Sequence, residues 1–228
     1  MTPVFCMAVC WIVMLGFSLF AEPKPCKDDW ALIFHAPSGN GEDVLNTWKT
    51  RHNNCDIVSG ICPCSMSDGC LPPKARIETY KSPSKTLRSP FIDYWDCLNI
   101  NKVKFELNVQ GDTVAFLEFD GRDSNYLNWF NNSRILNSSW TDLDKSETYN
   151  VFSIDTESMF GRNFFINKNN GVCHVRSGWL VVKEKTNLCE WDKHTTYPQF
   201  LYSQHGKVTR WIAKEYGKAD VLNVYIQN

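Results

Sequence analysis

The chain has 228 residues, 43% of them hydrophobic, and its 24 basic and 25 acidic side chains leave a formal charge of −1. No block of like charge stands out. Because phosphate binding requires a concentrated basic surface, this composition argues against nucleic acid as a partner. The length fits one large domain or a domain with a small appendage.

The first 21 residues carry no charged side chain. An apolar run over residues 4–20 ends at Ala21 and is followed by the polar sequence Glu-Pro-Lys-Pro. This pattern predicts a cleaved secretory signal peptide over residues 1–21, with a retained membrane anchor as the alternative. No later segment is long and apolar enough to span a bilayer, so we expect residues 22–228 to be a single secreted, β-rich extracellular domain.

Eight cysteines remain after the expected cleavage, and an even number in an oxidising compartment predicts four disulfides. They are Cys26, Cys55, Cys62, Cys64, Cys70, Cys97, Cys173 and Cys189. Proximity in the chain favours a bond between Cys173 and Cys189, and the other six would then pair among themselves. Zinc is an alternative for the cysteines between residues 55 and 70, but their spacing and the expected secretion favour disulfides.

Residues 30–36 are expected to form the first strand. A short helix is expected over residues 42–51, because Val44, Leu45 and Trp48 fall on one face at helical spacing. Residues 53–73 form a cysteine-rich insertion with few apolar residues, which predicts a disulfide-stapled surface loop. Residues 74–90 are polar and basic, typical of a solvated loop, with a patch for an anionic ligand as the alternative.

A β-hairpin is predicted near the middle of the chain. Apolar and polar residues alternate over residues 105–109, Gly111 and Asp112 interrupt the pattern, and a second apolar run over residues 114–117 ends before Asp120 and Gly121. Alternation with a period of two between Gly and Asp residues is typical of a half-buried hairpin.

Short strands separated by glycine and proline fill the second half of the chain. They are expected at residues 149–154, 163–166, 178–183, 199–202 and 220–226, and a second short helix at 208–216. Without βαβ alternation, this pattern predicts a mainly β, antiparallel β-sandwich-like single domain with a disulfide-stapled cysteine-rich loop and one or two short helices.

Two sequons follow the hairpin, at Asn131 and Asn137. Each fits Asn-x-Ser/Thr without proline, so both are predicted N-glycosylation sites on the surface of a secreted protein.

Acidic and amide side chains crowd the turn after the hairpin, where Glu118, Asp120, Asp123 and Asn125 offer the oxygen ligands that Ca²⁺ prefers. The pattern is not an EF-hand, since the twelve-residue loop and the closing Glu are missing. Arg122 supplies an internal counter-charge. Ca²⁺ is therefore one expectation for this segment, and a solvated turn is the other.

Signatures of catalysis are weak in this sequence. No two of the five histidines have i, i+2 or i, i+4 spacing, and no Gly-x-Ser-x-Gly motif is present. Acid pairs such as Asp142 with Asp155 could serve a glycosidase, although most secreted chains offer such pairs. Among the many aromatic residues, Trp191 lies between Glu190 and Asp192 and is the candidate for an exposed ligand-binding ring.

Several short motifs in chain order carry a resemblance to a known family. They are Phe-Asp-Gly-Arg at 119–122, Asn-Trp-Phe at 128–130, Ser-Ser-Trp-Thr-Asp-Leu at 138–143, Gly-Trp at 178–179 and Phe-Leu-Tyr-Ser at 200–203. With these motifs the chain resembles a domain of secreted marine-invertebrate proteins of the coral skeletal organic matrix type, which is distantly fibrinogen-like. The resemblance implies extracellular matrix or lectin-like binding, with no catalytic residues to carry over, and the paired-Asp calcium motif of fibrinogen-type domains is not present.

Together, these observations predict a secreted binding or matrix protein without catalysis, whose partners are extracellular glycans or matrix proteins. A secreted hydrolase using a carboxylate pair is the second hypothesis. A toxin or defence protein is the third.

Overall fold

The computed structural model describes residues 29–50, 70–72, 75–169 and 171–228. Within these residues the chain forms twelve strands and one short α-helix, with short 3-10 turns between them, so the fold is mainly β as expected. The elements are β1 (Ala31–Pro37), α1 (Val44–Lys49), β2 (Leu87–Arg88), β3 (Lys102–Val109), β4 (Asp112–Asp120), β5 (Ile135–Ser138), β6 (Val151–Ser153), β7 (Arg162–Asn169), β8 (Ser177–Lys183), β9 (Gln199–Ser203), β10 (Thr209–Arg210), β11 (Tyr216–Ala219) and β12 (Val221–Gln227).

The described strands build two antiparallel sheets. The first sheet has the order β2-β1-β12-β3-β4-β5, which places the short strand β5 at one edge. The second has the order β11-β9-β8-β7-β6, and β10 pairs with β8. This arrangement confirms the prediction of an antiparallel, sandwich-like fold.

The predicted hairpin is formed by β3 and β4, which pair from Lys102 opposite Asp120 to Val109 opposite Asp112. Gln110 and Gly111 connect them, and both have positive φ angles, of 52° and 92°. A two-residue turn of this kind requires positive φ at both positions and matches the twist of the strands, so a glycine is favoured there.

Aromatic rings fill the space between the sheets. Trp48 of α1 lies 5.2 Å from Phe34 of the first sheet and 5.9 Å from Phe164 of the second, measured between ring centroids. It also packs against Trp129, 5.9 Å away, and donates its indole N–H to the carbonyl of Tyr126 at 2.9 Å. Because aromatic side chains bury large apolar areas, these contacts anchor both α1 and the segment around residue 129 to the core.

A second layer covers the outer face of the second sheet. Alternate residues of its central strands, including Phe165, Val181 and Leu201, point away from the main core into a separate cluster with Trp191 and Trp211. Strands covered on both faces read as continuous apolar runs, and this explains the sequence Trp-Leu-Val-Val in β8.

The segment over residues 208–216 was expected to be helical, and the structure shows that this expectation is wrong. Thr209 and Arg210 pair with β8, Trp211–Ala213 form a single 3-10 turn, and Lys214 adopts a left-handed conformation with φ of 58°. Trp211 is fully buried and its backbone N–H donates to the Arg176 carbonyl at 3.1 Å. Pairing with β8 and the burial of Trp211 therefore decide the conformation of this segment.

Of the cysteine predictions, the bond between Cys173 and Cys189 is confirmed. Cys70 is also disulfide-bonded, and Cys97 ends the 3-10 segment Pro90–Cys97. The remaining four, Cys26, Cys55, Cys62 and Cys64, lie outside the described residues, as do the predicted signal peptide and nearly all of the insertion over residues 53–73.

None of the helices in the described ranges is both long enough and apolar enough to cross a bilayer.

Candidate functional site

A polar cleft of about 520 Å³ opens at one end of the first sheet, where β3 begins and β4 ends. Trp95, Ile100 and Gly121 line it together with eight polar or charged residues. These are Asp96, Asn99, Asn101, Arg122, Asp123, Ser124, Asn125 and Asn128. The cleft therefore contains two of the four residues proposed for Ca²⁺, in a larger polar setting.

The two walls of the cleft are held together at Gly121. Its N–H donates to the Asn101 carbonyl at 2.8 Å, and the Asn101 N–H donates to the Gln227 carbonyl of β12 at 2.8 Å. A Cβ atom at position 121 would lie 2.6 Å from the Cγ2 atom of Ile100. Only glycine fits this approach, so residue 121 sets the spacing of the walls.

Arg134 organises the turn that forms one wall. Its Nη1 atom donates to the carbonyls of Asp120 at 3.2 Å and Arg122 at 2.7 Å, and its Nη2 atom donates to the carbonyl of Asp123 at 2.9 Å. A guanidinium thus satisfies three backbone oxygens that point toward one position. Hydrogen bonds from a charged donor are the stronger kind, so this contact rigidifies the turn.

The carboxylate of Asp120 is paired with Arg122 and is therefore not free to bind a metal ion. Arg122 donates from Nε and Nη2 to the two carboxylate oxygens at 2.9 and 2.7 Å. These hydrogen bonds are the main reason why the pKa of Asp120 is lowered to about 2. The carboxylate is ionised at neutral pH, with its charge balanced by a neighbour.

The side-chain oxygens of Asn125 and Asn128 both accept hydrogen bonds from backbone N–H groups of the loop. The Oδ1 atom of Asn125 accepts from the N–H groups of Leu127 and Asn128, both at 2.9 Å, and the Oδ1 atom of Asn128 accepts from the Asn125 N–H at 2.7 Å. Each residue therefore holds the loop through its carbonyl oxygen, and the hydrogen bonds of the loop do not use its NH₂ group.

Ser124 connects this loop to the floor of the cleft. Its hydroxyl accepts from the indole N–H of Trp95 at 3.0 Å and donates to the Gly121 carbonyl at 2.6 Å. Trp95 is only 4% exposed and stacks on Trp129 with the ring planes 17° apart. The floor is therefore fixed by the main core.

The structure does not assemble the residues predicted for Ca²⁺ into a metal centre. Across the described part of the chain, no group of three or more His, Cys, Asp or Glu side chains is placed to hold a metal ion. Glu118 lies within β4, Asp120 is paired with Arg122, and the Asn125 oxygen caps the loop. The guanidinium of Arg134 holds the carbonyls that could have completed a coordination shell.

Trp191 offers no exposed ring face, since it is only 1% exposed. Its ring stacks on Trp211 with centroids 5.5 Å apart, and the Arg162 guanidinium lies 4.9 Å from its centroid. The neighbouring acidic residues suggested a surface position, but Asp192 points inward and is fully buried.

Asp192 belongs to a buried ionic cluster under this second layer. Its carboxylate accepts from Lys183 at 3.0 Å and from Arg162 through both Nε and Nη2. Arg162 also pairs with Glu157 at 2.7 Å. Burial lowers the pKa of Lys183 to about 8. Lys183 and Asp192 are both 0% exposed, which places the cluster out of reach of a substrate.

The acid pair proposed for hydrolysis has other partners. Asp142 accepts from the Trp179 indole at 2.7 Å and from the Val208 N–H at 2.9 Å, and Asp155 pairs with Lys49 at 2.7 Å. Both carboxylates therefore serve structural contacts.

Glu184 has the raised pKa that acid catalysis would use. Burial raises its pKa to about 7, but its Oε1 atom accepts from the Leu45 N–H at 2.7 Å and its other oxygen accepts from the Asn163 amide. These contacts tie β8 to helix α1, and the residue does not line the cleft.

Both predicted glycosylation residues are exposed. The Asn131 oxygen accepts from the Ser133 N–H at 3.0 Å and from its hydroxyl at 2.9 Å, and Asn137 lies on the edge strand β5. Their modification stays a prediction.

Several cleft residues have no signal in the sequence. Arg134 is eleven to fourteen residues away from the carbonyls it binds, and backbone oxygens leave no trace in a residue pattern. Asn99, Asn101 and Asn128 join the cleft only through the fold. The run Asp-Gly-Arg-Asp-Ser-Asn at 120–125 drew attention to the turn that lines the cleft, and a functional role for this turn stays a prediction.

Comparisons of this chain with protein-family models, with curated proteins and with solved structures find no match.

Proposed function

We propose that this chain is an extracellular binding protein that holds a polar, glycan-like ligand in the cleft between residues 95–101 and 121–128. The observation that carries the proposal is the cleft itself. Its volume of about 520 Å³ lies in the range of ligand pockets, roughly 300–1,000 Å³.

The chemistry of the walls fits a sugar. Sugar hydroxyls both donate and accept hydrogen bonds, and the cleft offers NH₂ donors from Asn125 and Asn128 and acceptor oxygens from Asp96 and Asp123. The one cation that lines the cleft, Arg122, is already paired with Asp120, and Asp96 and Asp123 add negative charge, so a neutral ligand suits the site better than a phosphate. Trp95 is buried, so recognition would rest on hydrogen bonds more than on ring stacking.

The frame of the cleft is also suited to binding. Arg134, Gly121 and Ser124 hold the turn through backbone contacts and leave the exposed side chains to the ligand. A site that is already ordered loses less conformational entropy when it binds.

A glycan array probed with the secreted protein tests the proposal, followed by calorimetry on the best ligand. We expect Asn101→Ala and Asp96→Ala each to weaken binding about fivefold, since loss of one well-formed hydrogen bond is worth on the order of 1 kcal/mol. Both residues are exposed, so folding should be unchanged.

Asn150→Ala is the matched control, because Asn150 is exposed and does not line the cleft. Absence of any glycan ligand, or a ligand whose affinity is the same in all three variants, would contradict the proposal. The first of these results would favour a structural matrix role.

A further inference from the structure

Exposed apolar side chains concentrate on the layer that covers the second sheet. In the described residues nine large hydrophobic side chains are exposed, and six of them lie in segments of this layer. They are Met159, Phe160, Val172, Val175, Leu188 and Ile212. Single exposed apolar residues are ordinary in soluble proteins, but a group of six in one region indicates an interaction surface. We call these six residues the apolar rim.

Contacts hold the segments of the rim together. The Cys173–Cys189 disulfide joins the turn that carries Val172 to the loop that carries Leu188. The Asn187 side chain donates to the Phe160 carbonyl at 3.3 Å. The Trp211 N–H, next to Ile212, donates to the Arg176 carbonyl at 3.1 Å, next to Val175. The rim is therefore a property of one packed layer and not of independent loops.

Three side chains of the apolar rim are largely exposed to solvent. Leu188 is 89% exposed, Met159 is 73% exposed and Val172 is 63% exposed. Beneath them lie the buried Trp191 and the ionic cluster around Asp192. The interior is complete without these three side chains, so their exposure is not explained by packing within the chain.

The segments that carry the rim have more exposed cations than exposed anions. The exposed charged residues of the same segments are the cations Lys185, Lys193, Arg210 and Lys214 and the anions Glu190 and Glu215, four against two. Glu190 is already paired with Lys193 at 2.6 Å. These segments are net positive in a chain whose formal charge is −1.

We propose that the apolar rim docks on an anionic phospholipid membrane. Separate protruding apolar tips can enter a lipid interface one by one, because lipid has no fixed shape to match. Surrounding lysines and arginines are then placed to meet anionic headgroups. A protein partner would instead need a surface complementary to these projections. The docking is peripheral and uses a different face from the glycan-binding cleft.

Sedimentation with lipid vesicles tests the proposal on the mature full-length protein. We expect binding to vesicles of phosphatidylcholine with 30% phosphatidylserine, about tenfold weaker binding to pure phosphatidylcholine, and loss of binding as salt screens the charges. The double variant Met159→Ser/Leu188→Ser should bind at least about tenfold more weakly, because two inserting side chains are lost.

Leu136→Ser is the matched control, because Leu136 is 48% exposed but lies on β5 of the other sheet. Its binding to vesicles should equal that of the wild type, and thermal unfolding should show that all variants fold. Failure of the wild type to bind vesicles, or full binding by the double variant, would overturn the proposal. So would a self-associated form in solution that the double variant abolishes, since a second copy would then cover the rim. The glycan-binding test does not involve these residues, so either proposal can fail alone.

Discussion

Replacing Asp192 with Asn is expected to destabilise the fold strongly. The carboxylate is fully buried and compensates two buried cations, Lys183 and Arg162. Arg162 retains Glu157, but Lys183 keeps no carboxylate partner and is left with the Phe160 carbonyl, at 3.1 Å, and the Trp191 ring, at 6.0 Å. Removal of one partner from a buried ion pair typically costs about 3–5 kcal/mol, because the other charge stays in a medium of low polarity.

This loss corresponds to a fall in melting temperature on the order of 10 °C for a chain of this size. Chemical unfolding of the oxidised protein measures it directly. The loss should be larger at pH 6 than at pH 9. Burial already lowers the pKa of Lys183 to about 8, and the absence of Asp192 lowers it further, so at pH 9 the lysine is largely neutral in the variant.

Two companion variants make the test specific. Asp192→Asn combined with Lys183→Met should be more stable than Asp192→Asn alone, since the uncompensated cation is removed with its partner. Glu190→Gln, which affects the exposed pair with Lys193, should cost less than about 1 kcal/mol. A loss below about 1 kcal/mol for Asp192→Asn, or a double variant no more stable than the single one, would refute the reasoning.

Three further outcomes follow from particular residues. Burial raises the pKa of Glu184 from 4.5 to about 7, so its contribution to stability is fully present below about pH 4.5 and is lost as pH rises through 7. Urea unfolding at pH 4.5 and pH 8 should show that Glu184→Gln removes about 2–3 kcal/mol of this pH dependence. An unchanged pH profile in the variant would contradict this prediction. Gly178→Ala should cost about 1–3 kcal/mol in the same assay, because the new Cβ would lie 2.5 Å from the backbone oxygen of Ile166, and a neutral effect would show that β7 and β8 can separate without penalty. Replacing Cys173 and Cys189 together with Ala should cost about 3 kcal/mol, as expected for a closed loop with a sequence separation of 16, and a melting temperature equal to that of the wild type would count against it.

Alternating apolar residues were enough to predict the central hairpin, and short apolar runs between glycine and proline residues were enough to predict most strands of the second sheet. Residues 178–183 and 199–202 coincide with β8 and β9 to within one residue at each end. These strands form the middle of a sheet, and their side chains must satisfy the packing on its faces. The order of apolar and polar residues is therefore sufficient to predict these central strands.

The short strands were missed for a corresponding reason. β5, β10 and β11 have two to four residues and lie outside the central part of their sheets, where few contacts constrain the sequence. Residues 208–216, which include β10, were expected to form a short helix instead. Pairing with β8 and the burial of Trp211 decide the conformation there.

The site was only partly visible in the sequence for a different reason. The acidic turn after β4 was recognised, but its charges suggested a metal ion. Arg134, which binds the carbonyls of this turn, comes from a later segment and interacts with backbone atoms that every residue possesses. Trp191 was misplaced because its two acidic neighbours look alike in sequence, although Glu190 is exposed and Asp192 is buried.

The position of Asn137 on β5 has a consequence for the solubility of the protein. An edge strand presents unpaired backbone groups to which a strand of another molecule can add, and this is a common route to aggregation. The strand ends only seven residues after Asn131 and contains Asn137 itself, so sugars on these residues would cover its outer side. Glycosylation would then protect the sheet against intermolecular strand addition, and the unglycosylated protein would form fibrils or aggregates more readily than the glycosylated one.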